Sequence, residues 1–120
     1  MARKILVVDD SPSELLLLLS ALDGRGYEIT TAADGEQAVR QAVEQHPDLI
    51  VLDVVLPKKN GFQVCRQLKQ GQATRGIKII LVTSKTQDSD RFWGMKQGAD
   101  EYITKPFEPQ QLVASVERHL

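Results

Sequence analysis

Residues 5–14 read Ile-Leu-Val-Val-Asp-Asp-Ser-Pro-Ser-Glu, a short apolar run followed abruptly by two acids and a helix start. The apolar run predicts a strand with both faces buried, because it contains no alternating polar positions. Ser11 is suited to cap a helix, Pro12 favours the first helical position and Glu14 would complete a capping box. The segment therefore predicts a strand, an acidic turn and a helix that continues through the following leucines.

The same pattern of an apolar run followed by an amphipathic stretch recurs along the chain. Further strands are predicted at residues 27–32, 49–52, 77–82 and 101–104, and a helix follows each of them. Short connections, and strands that are apolar on both faces, are typical of a parallel sheet covered by helices on both sides. We therefore expect an α/β fold of five β–α units, a flavodoxin-like (βα)5 doubly wound five-stranded parallel sheet in the order 2-1-3-4-5.

Length and composition restrict the class of protein. The 120 residues carry 15 basic and 16 acidic side chains, and the hydrophobic fraction is 42%, values typical of one globular domain. A single cysteine excludes a disulfide framework, and the balanced charge argues against nucleic acid as the main partner. The longest apolar run, residues 15–19, is too short for a membrane span, and we identify no signal peptide before the first strand. We expect residues 1–120 to form one cytoplasmic domain without membrane insertion and without an output domain.

Polar side chains lie directly after four of the five predicted strands: Asp9 and Asp10, Asp53, Thr83 and Ser84, and Lys105. Because the carboxyl ends of parallel strands meet at one edge of the sheet, we expect these side chains to converge where the strand order reverses. Three carboxylates repel one another and favour a cation, and an all-oxygen ligand set with few protein ligands favours Mg²⁺. A carboxylate beside Mg²⁺, a hydroxyl and a lysine is suited to phosphoryl transfer, with the carboxylate as nucleophile.

Six motifs, in order along the chain, resemble the receiver domain of two-component response regulators, the CheY-like family. They are Val8-Asp-Asp-Ser11, Leu52-Asp-Val-Val-Leu-Pro57, Asn60-Gly61, Val82-Thr-Ser84, Gly98-Ala-Asp100 and Tyr102-Ile-Thr-Lys-Pro-Phe107. The resemblance covers the whole chain and implies a single-domain response regulator that takes a phosphoryl group from a histidine kinase. Such a domain catalyses only its own phosphorylation and dephosphorylation, so we do not expect an enzyme that turns over a substrate.

The resemblance also implies a role for the residues around the metal. Asp53 is similar to the phosphoacceptor. Asp9 and Asp10 resemble the acidic pair that holds Mg²⁺ together with Asp53. The main-chain carbonyl of Val55 matches a further ligand position, and an apolar side chain does not disturb that role.

Three further residues resemble the parts that transmit the phosphorylation signal. Thr83 is similar to the switch hydroxyl, and Lys105 to the lysine that contacts the phosphoryl group. Tyr102 resembles the aromatic residue that turns inward when the hydroxyl of Thr83 moves toward the phosphate. The resemblance implies that the signal leaves through the face formed by the fourth helix, the fifth strand and the fifth helix.

The segment Asp90-Arg-Phe-Trp-Gly94, followed by Lys96-Gln-Gly-Ala-Asp100, resembles a narrower group of receivers. These are the stand-alone regulators of type IV pilus (twitching-motility) chemosensory systems, which implies a CheA-like kinase and a role in pilus-based motility or taxis. Trp93 fits two interpretations: an anchor that packs the fourth helix on the core, which we favour slightly, or an aromatic contact for a partner.

Other classes of protein fit the sequence less well. A haloacid-dehalogenase-type phosphatase needs a second aspartate two positions after its nucleophile, where this chain has Val55. A flavodoxin-type electron carrier needs a phosphate-binding loop after the first strand, where Asp9 and Asp10 would repel the FMN phosphate. A histidine phosphotransfer protein needs an exposed helical histidine, whereas His46 precedes Pro47 at a helix end. A receiver that serves as a phosphate sink, or as a docking module independent of phosphorylation, is an open alternative.

Overall fold

The computed structural model describes residues 2–120 and contains one five-stranded sheet between two layers of helices. The strands are β1 (Lys4–Val8), β2 (Glu28–Ala32), β3 (Leu49–Leu52), β4 (Lys78–Thr83) and β5 (Glu101–Thr104). The helices are α1 (Pro12–Leu22), α2 (Gly35–Gln45), α3 (Gly61–Gln70), α4 (Asp88–Lys96) and α5 (Pro109–His119). All strand pairs are parallel and the order is β2-β1-β3-β4-β5. The predicted fold class and strand order are confirmed.

The residues of each central strand alternate between two hydrophobic cores, one on each face of the sheet. In β1, Leu6 and Val8 face the core shared with α2 and α3, whereas Ile5 and Val7 face the core shared with α1 and α5. All four side chains are fully buried. The part of a strand that is covered on both sides has no position open to water, which explains why residues 5–8 are all apolar.

Helix α1 begins as predicted at Pro12, but its cap differs from the expectation. The Oγ of Ser11 accepts a hydrogen bond from the Glu14 N–H at 3.4 Å, as a capping residue should. A capping box also requires the Ser11 N–H to donate to the Glu14 side chain. That part of the prediction is wrong, because the Ser11 N–H donates to Asp9 Oδ1 at 3.0 Å. The Glu14 carboxylate turns away and lies 3.7 Å from Lys105 Nζ, where it faces a positive charge.

Helix α2 ends at Gln45, and its C-cap residue His46 lies in the left-handed region at φ 49°, directly before Pro47. This confirms the expected position of His46 at a helix end. Within residues 2–120, none of the helices combines the length and the apolar character that crossing a membrane requires.

Candidate functional site

The carboxyl ends of β1, β3 and β5 bring Asp9, Asp53 and Lys105 together. Val8 pairs with Leu52 in the sheet, so the two acids that follow them leave the sheet side by side. Lys105 Nζ donates to Asp9 Oδ2 at 2.8 Å and to Asp53 Oδ2 at 3.2 Å. Because the two carboxylates are only 2% and 8% exposed, the ammonium offsets charge that burial would otherwise make costly.

The charge of Lys105 is stabilised by its partners. Burial lowers the pKa of Lys105, but the hydrogen bond to Asp9 and the charge of Asp53 outweigh burial and raise that pKa above its ordinary value. The raised pKa means that the charged form of Lys105 stabilises the fold wherever its two partners are also charged. On the alkaline side, this contribution is lost as the pH rises through the raised pKa of Lys105.

The carboxylate of Asp53 is oriented through both of its oxygens. Its Oδ2 accepts from Lys105, and its Oδ1 accepts from the main-chain N–H of Val55 at 3.2 Å. Val55 itself is half exposed beside the carboxylate. The side chain of Asp53 is therefore fixed against the wall of the site and does not rotate freely.

The cluster borders a cavity of about 570 Å³. Its charged lining consists of four acids and one base: Asp9, Asp10, Glu14, Asp53 and Lys105. Its apolar lining consists of Leu17, Val55, Pro106, Phe107 and Pro109. Four carboxylates and one ammonium give this cavity a formal charge of −3, so its chemistry favours a cation.

The expected convergence of three carboxylates is only partly realised. Asp9 and Asp53 meet through the ammonium of Lys105, whereas Asp10 is exposed at the edge of the same cavity. Among residues 2–120, no three His, Cys, Asp or Glu side chains form a group that could hold a metal ion by themselves. The donor set still suits a hard cation, because Mg²⁺ binds few protein oxygens and keeps several waters. The residues present therefore fit Mg²⁺ by charge and by ligand type.

A chain of hydrogen bonds connects Thr83, at the end of β4, with Tyr102 in β5. Thr83 is fully buried, and the Lys85 N–H donates to its Oγ1 at 3.4 Å. The carbonyl of Lys85 accepts from the Tyr102 hydroxyl at 2.8 Å. Tyr102 is buried, and this burial raises its pKa to about 12. The main chain of one loop residue therefore touches both predicted switch residues.

Arg91 on α4 holds Tyr102 from the other side. Its guanidinium lies 5.2 Å from the centre of the tyrosine ring, and its Nη1 donates to the Tyr102 carbonyl at 2.9 Å. Sequence analysis missed Arg91, since an exposed helical arginine carries no local signal that it will reach a strand.

Trp93 does not anchor α4 to the core. Its side chain is 49% exposed, and Phe92 and Met95 beside it are exposed as well. Gly94 packs on the sheet in its place, because a Cβ there would lie 2.9 Å from Leu81 Cδ1 and 3.0 Å from the Tyr102 ring. The core-anchor interpretation is therefore wrong, and the partner-contact interpretation of Trp93 stays a prediction.

Two glycines allow the turn after β3 to pack closely against the rest of the fold. The Gly61 N–H donates to the Val54 carbonyl at 2.8 Å, and a Cβ on Gly61 would collide with the main chain of Asp53. The Gly35 N–H donates to the Pro57 carbonyl at 3.2 Å, and a Cβ there would overlap the main chain of the same turn. The segment that follows Asp53 is therefore positioned by backbone contacts on two sides.

Comparison with known proteins places these features in a family. The chain matches the response regulator receiver domain over residues 5–117. It is 47% identical to the alkaline phosphatase synthesis transcriptional regulatory protein PhoP of Bacillus subtilis over 116 residues, 97% of this chain and 48% of PhoP. It is 41% identical to protein PilH of Pseudomonas aeruginosa over 116 residues, 97% of this chain and 95% of PilH. The chain thus spans about half the length of PhoP.

Solved structures agree with this match. One is the receiver domain of a sensor histidine kinase from Pseudomonas aeruginosa, with a magnesium ion coordinated in its active-site cleft. Its TM-score is 0.89 and its sequence identity is 32%, over 98% of this chain and 97% of that domain.

Proposed function

This chain belongs to the response regulator receiver domains of two-component signalling, and from that premise we propose that it accepts a phosphoryl group on Asp53 from a histidine kinase. The observation that supports the proposal is the cluster of Asp9, Asp53 and Lys105 at the wall of an open acidic cavity. The result of the reaction is a change in the covalent state of the domain itself, not the turnover of a substrate.

The geometry suggests how each group acts. An oxygen of Asp53 attacks the phosphorus of the donor, the bond from phosphorus to the imidazole nitrogen of the donor breaks, and an acyl phosphate forms. Lys105 can keep its hydrogen bond to Asp9 while it donates to the oxygens of the transferred group. The Val55 N–H holds the carboxylate in place during the attack.

Mg²⁺ is the proposed cofactor. Asp9, Asp10, Asp53 and the main-chain carbonyl of Val55 would hold it, and its charge would neutralise that of the phosphoryl oxygens. The excess of carboxylates in the cavity and the magnesium in the related receiver domain support this assignment.

The signal is proposed to pass from Asp53 to the face formed by α4, β5 and α5. Phosphorylation adds a charge of about −1.5 to −2, and Lys105 and the hydroxyl of Thr83 can donate hydrogen bonds to the new phosphoryl oxygens. A movement of Thr83 toward the phosphate breaks its contact with the Lys85 N–H. Because the Lys85 carbonyl holds the Tyr102 hydroxyl, the change reaches the face on which Trp93 is exposed.

For the pathway, we propose a cytoplasmic chemosensory system with a CheA-like kinase that controls pilus-based motility or taxis. The resemblance of residues 90–100 to stand-alone pilus regulators supports this, and so does the match to PilH over 95% of its length. The second candidate is a phosphate sink or a docking module independent of phosphorylation. One observation favours a docking module: Tyr102 is buried and hydrogen-bonded, so the face around it has a defined shape.

The substitution Asp53→Asn tests the acceptor. Asparagine keeps the size of the side chain but lacks the attacking anionic oxygen, so labelling by acetyl phosphate should be abolished while circular dichroism shows an intact fold. Asp23→Asn is the control, because it removes the same charge from an exposed position after α1. Acid-labile phosphate at wild-type stoichiometry on the Asp53→Asn protein would contradict the proposal.

A further inference from the structure

Glu14 is a fourth acid at the site, and its position differs from those of the other three. It lies in the first turn of α1, with Oε2 3.7 Å from Lys105 Nζ and a side chain that is 41% exposed. Asp9 and Asp53 are buried and bonded to the same ammonium at shorter distances. Glu14 lines the cavity with a more exposed side chain and adds charge there without forming a direct hydrogen bond to the lysine.

The negative charge of Glu14 is not neutralised by the lysine of the cavity. Lys105 already has two buried carboxylates as partners, so it cannot neutralise Glu14 as well. Glu14 lines the same cavity as Asp53, so its charge repels an anion that binds there, and the repulsion grows with the charge of that anion. Partial exposure reduces this repulsion by solvent screening but does not remove it.

We infer that Glu14 selects among phosphodonors by charge, and that it disfavours dianionic small phosphates relative to donors with less negative charge. The inference rests on the proposed role of Asp53 as phosphoacceptor. A protein donor offsets the repulsion through its larger contact area, whereas a free small molecule has no such compensation. Glu14 is thus a specificity-determining residue and does not itself take part in bond making.

Two small donors separate this effect from the chemistry. Acetyl phosphate is a dianion at neutral pH: Asp53 bonds to its phosphorus, the phosphorus–oxygen bond breaks and acetate leaves with the electron pair. Phosphoramidate carries one net negative charge at neutral pH, since its nitrogen is protonated: the phosphorus–nitrogen bond breaks and ammonia leaves. Both reactions give the same phosphorylated Asp53, so the ratio of their rates reports on donor charge.

The experiment measures both labelling rates at Asp53 in the wild type, Glu14→Gln and Glu36→Gln. Removing the charge of Glu14 should raise the ratio of the acetyl phosphate rate to the phosphoramidate rate by about threefold at low salt, the effect that Coulomb's law gives for one extra unit charge on a donor about 6 Å away in water. The rise should shrink at high ionic strength, because salt screens exposed charges. Glu36 is the matched control, an exposed acid in the first turn of α2, and its substitution should leave the ratio unchanged.

The other outcomes overturn the inference in distinguishable ways. An unchanged ratio in Glu14→Gln, or an equal rise in Glu36→Gln, would exclude a local effect of donor charge. Equal acceleration with both donors would mean that Glu14 acts only by restraining Lys105. If neither donor labels Asp53 in the wild type, the proposed acceptor itself is wrong, and the inference fails with it.

Discussion

Two lysines in this fold are paired with acids at opposite ends of the sheet. At the amino ends of β4 and β5, Lys69 Nζ donates to Asp100 Oδ2 at 2.9 Å and to the Ile77 carbonyl at 2.7 Å. The same oxygen of Asp100 accepts from the Ile79 N–H at 2.8 Å. One acid and one base are thus matched, and main-chain groups occupy further hydrogen-bonding positions of the pair.

The cluster at the carboxyl ends of the strands has no such balance. Lys105 contacts Asp9, Asp53 and Glu14, and Asp10 adds a further charge to the same cavity. The partly buried pair of Lys69 and Asp100 at the other end has no unpaired charge, whereas this cluster has carboxylate oxygens without a counter-charge. The difference shows that the charge balance of an ion-pair cluster, rather than its burial, distinguishes a structural pair from a site for a ligand.

The largest effect on stability is expected from Asp100→Asn. The substitution leaves the mostly buried ammonium of Lys69 without its counter-charge, so the free energy of unfolding should fall by about 2–3 kcal/mol. Urea denaturation of the two proteins measures the difference. Asp48→Asn is the control, because Asp48 also accepts a main-chain N–H, from Lys4, but in an exposed position. A smaller loss for Asp100→Asn than for the control would show that the pair of Lys69 and Asp100 does not stabilise the fold.

A second test compares how far a change spreads from each cluster. Beryllofluoride, a phosphate mimic, should alter Trp93 fluorescence and the backbone amide shifts of residues 88–107, and leave the amides around Lys69 nearly unchanged. Thr83→Ala should still bind the mimic at Asp53 but lose coupling to that face of about 1–2 kcal/mol. The exposed Thr31→Ala on β2 should behave as the wild type does.

The result for the wild type also separates the two proposed functions. If beryllofluoride binds Asp53 and changes neither Trp93 fluorescence nor these amide shifts, the switch is refuted. The function supported would then be that of a docking module that works without phosphorylation.

The smallest effect is expected from Asp10→Ala. Removing one acid from a cluster with excess negative charge should leave the stability without metal unchanged, or raise it by less than about 1 kcal/mol. Mg²⁺ binding and labelling by acetyl phosphate should both weaken. Urea denaturation in EDTA and in Mg²⁺ measures the two effects. A clear loss of stability in EDTA would show instead that Asp10 stabilises the start of α1.

The sheet and the acidic edge of the sheet could be predicted from the sequence because they depend on local patterns. An apolar run such as residues 49–52 identifies a buried strand, and the residue after it must lie at the carboxyl edge of a parallel sheet. That rule alone predicts that Asp9, Asp53 and Lys105 lie together.

Other features depend on which side chains meet across the fold, and no local pattern specifies that. The sequence predicts a capping box in which the Glu14 carboxylate accepts from the main-chain N–H of Ser11. Instead, that carboxylate lies 3.7 Å from the Nζ of Lys105, which is 91 positions later in the chain. Lys69 and Asp100, 31 positions apart, were not recognised as a pair for the same reason. Trp93 was misjudged because the smaller Gly94 occupies the contact with the core.

The close approach of Gly61 to Asp53 matters for how the chain tolerates substitution. Gly61 has no reactive group, yet any side chain there must displace the main chain that carries Asp53, the proposed phosphoacceptor. A survey of substitutions that scored only phosphorylation would therefore rank Gly61 among the reactive residues. Intolerance to mutation at Gly61 would therefore reflect the need to position Asp53 correctly, and not a chemical role for the residue at position 61.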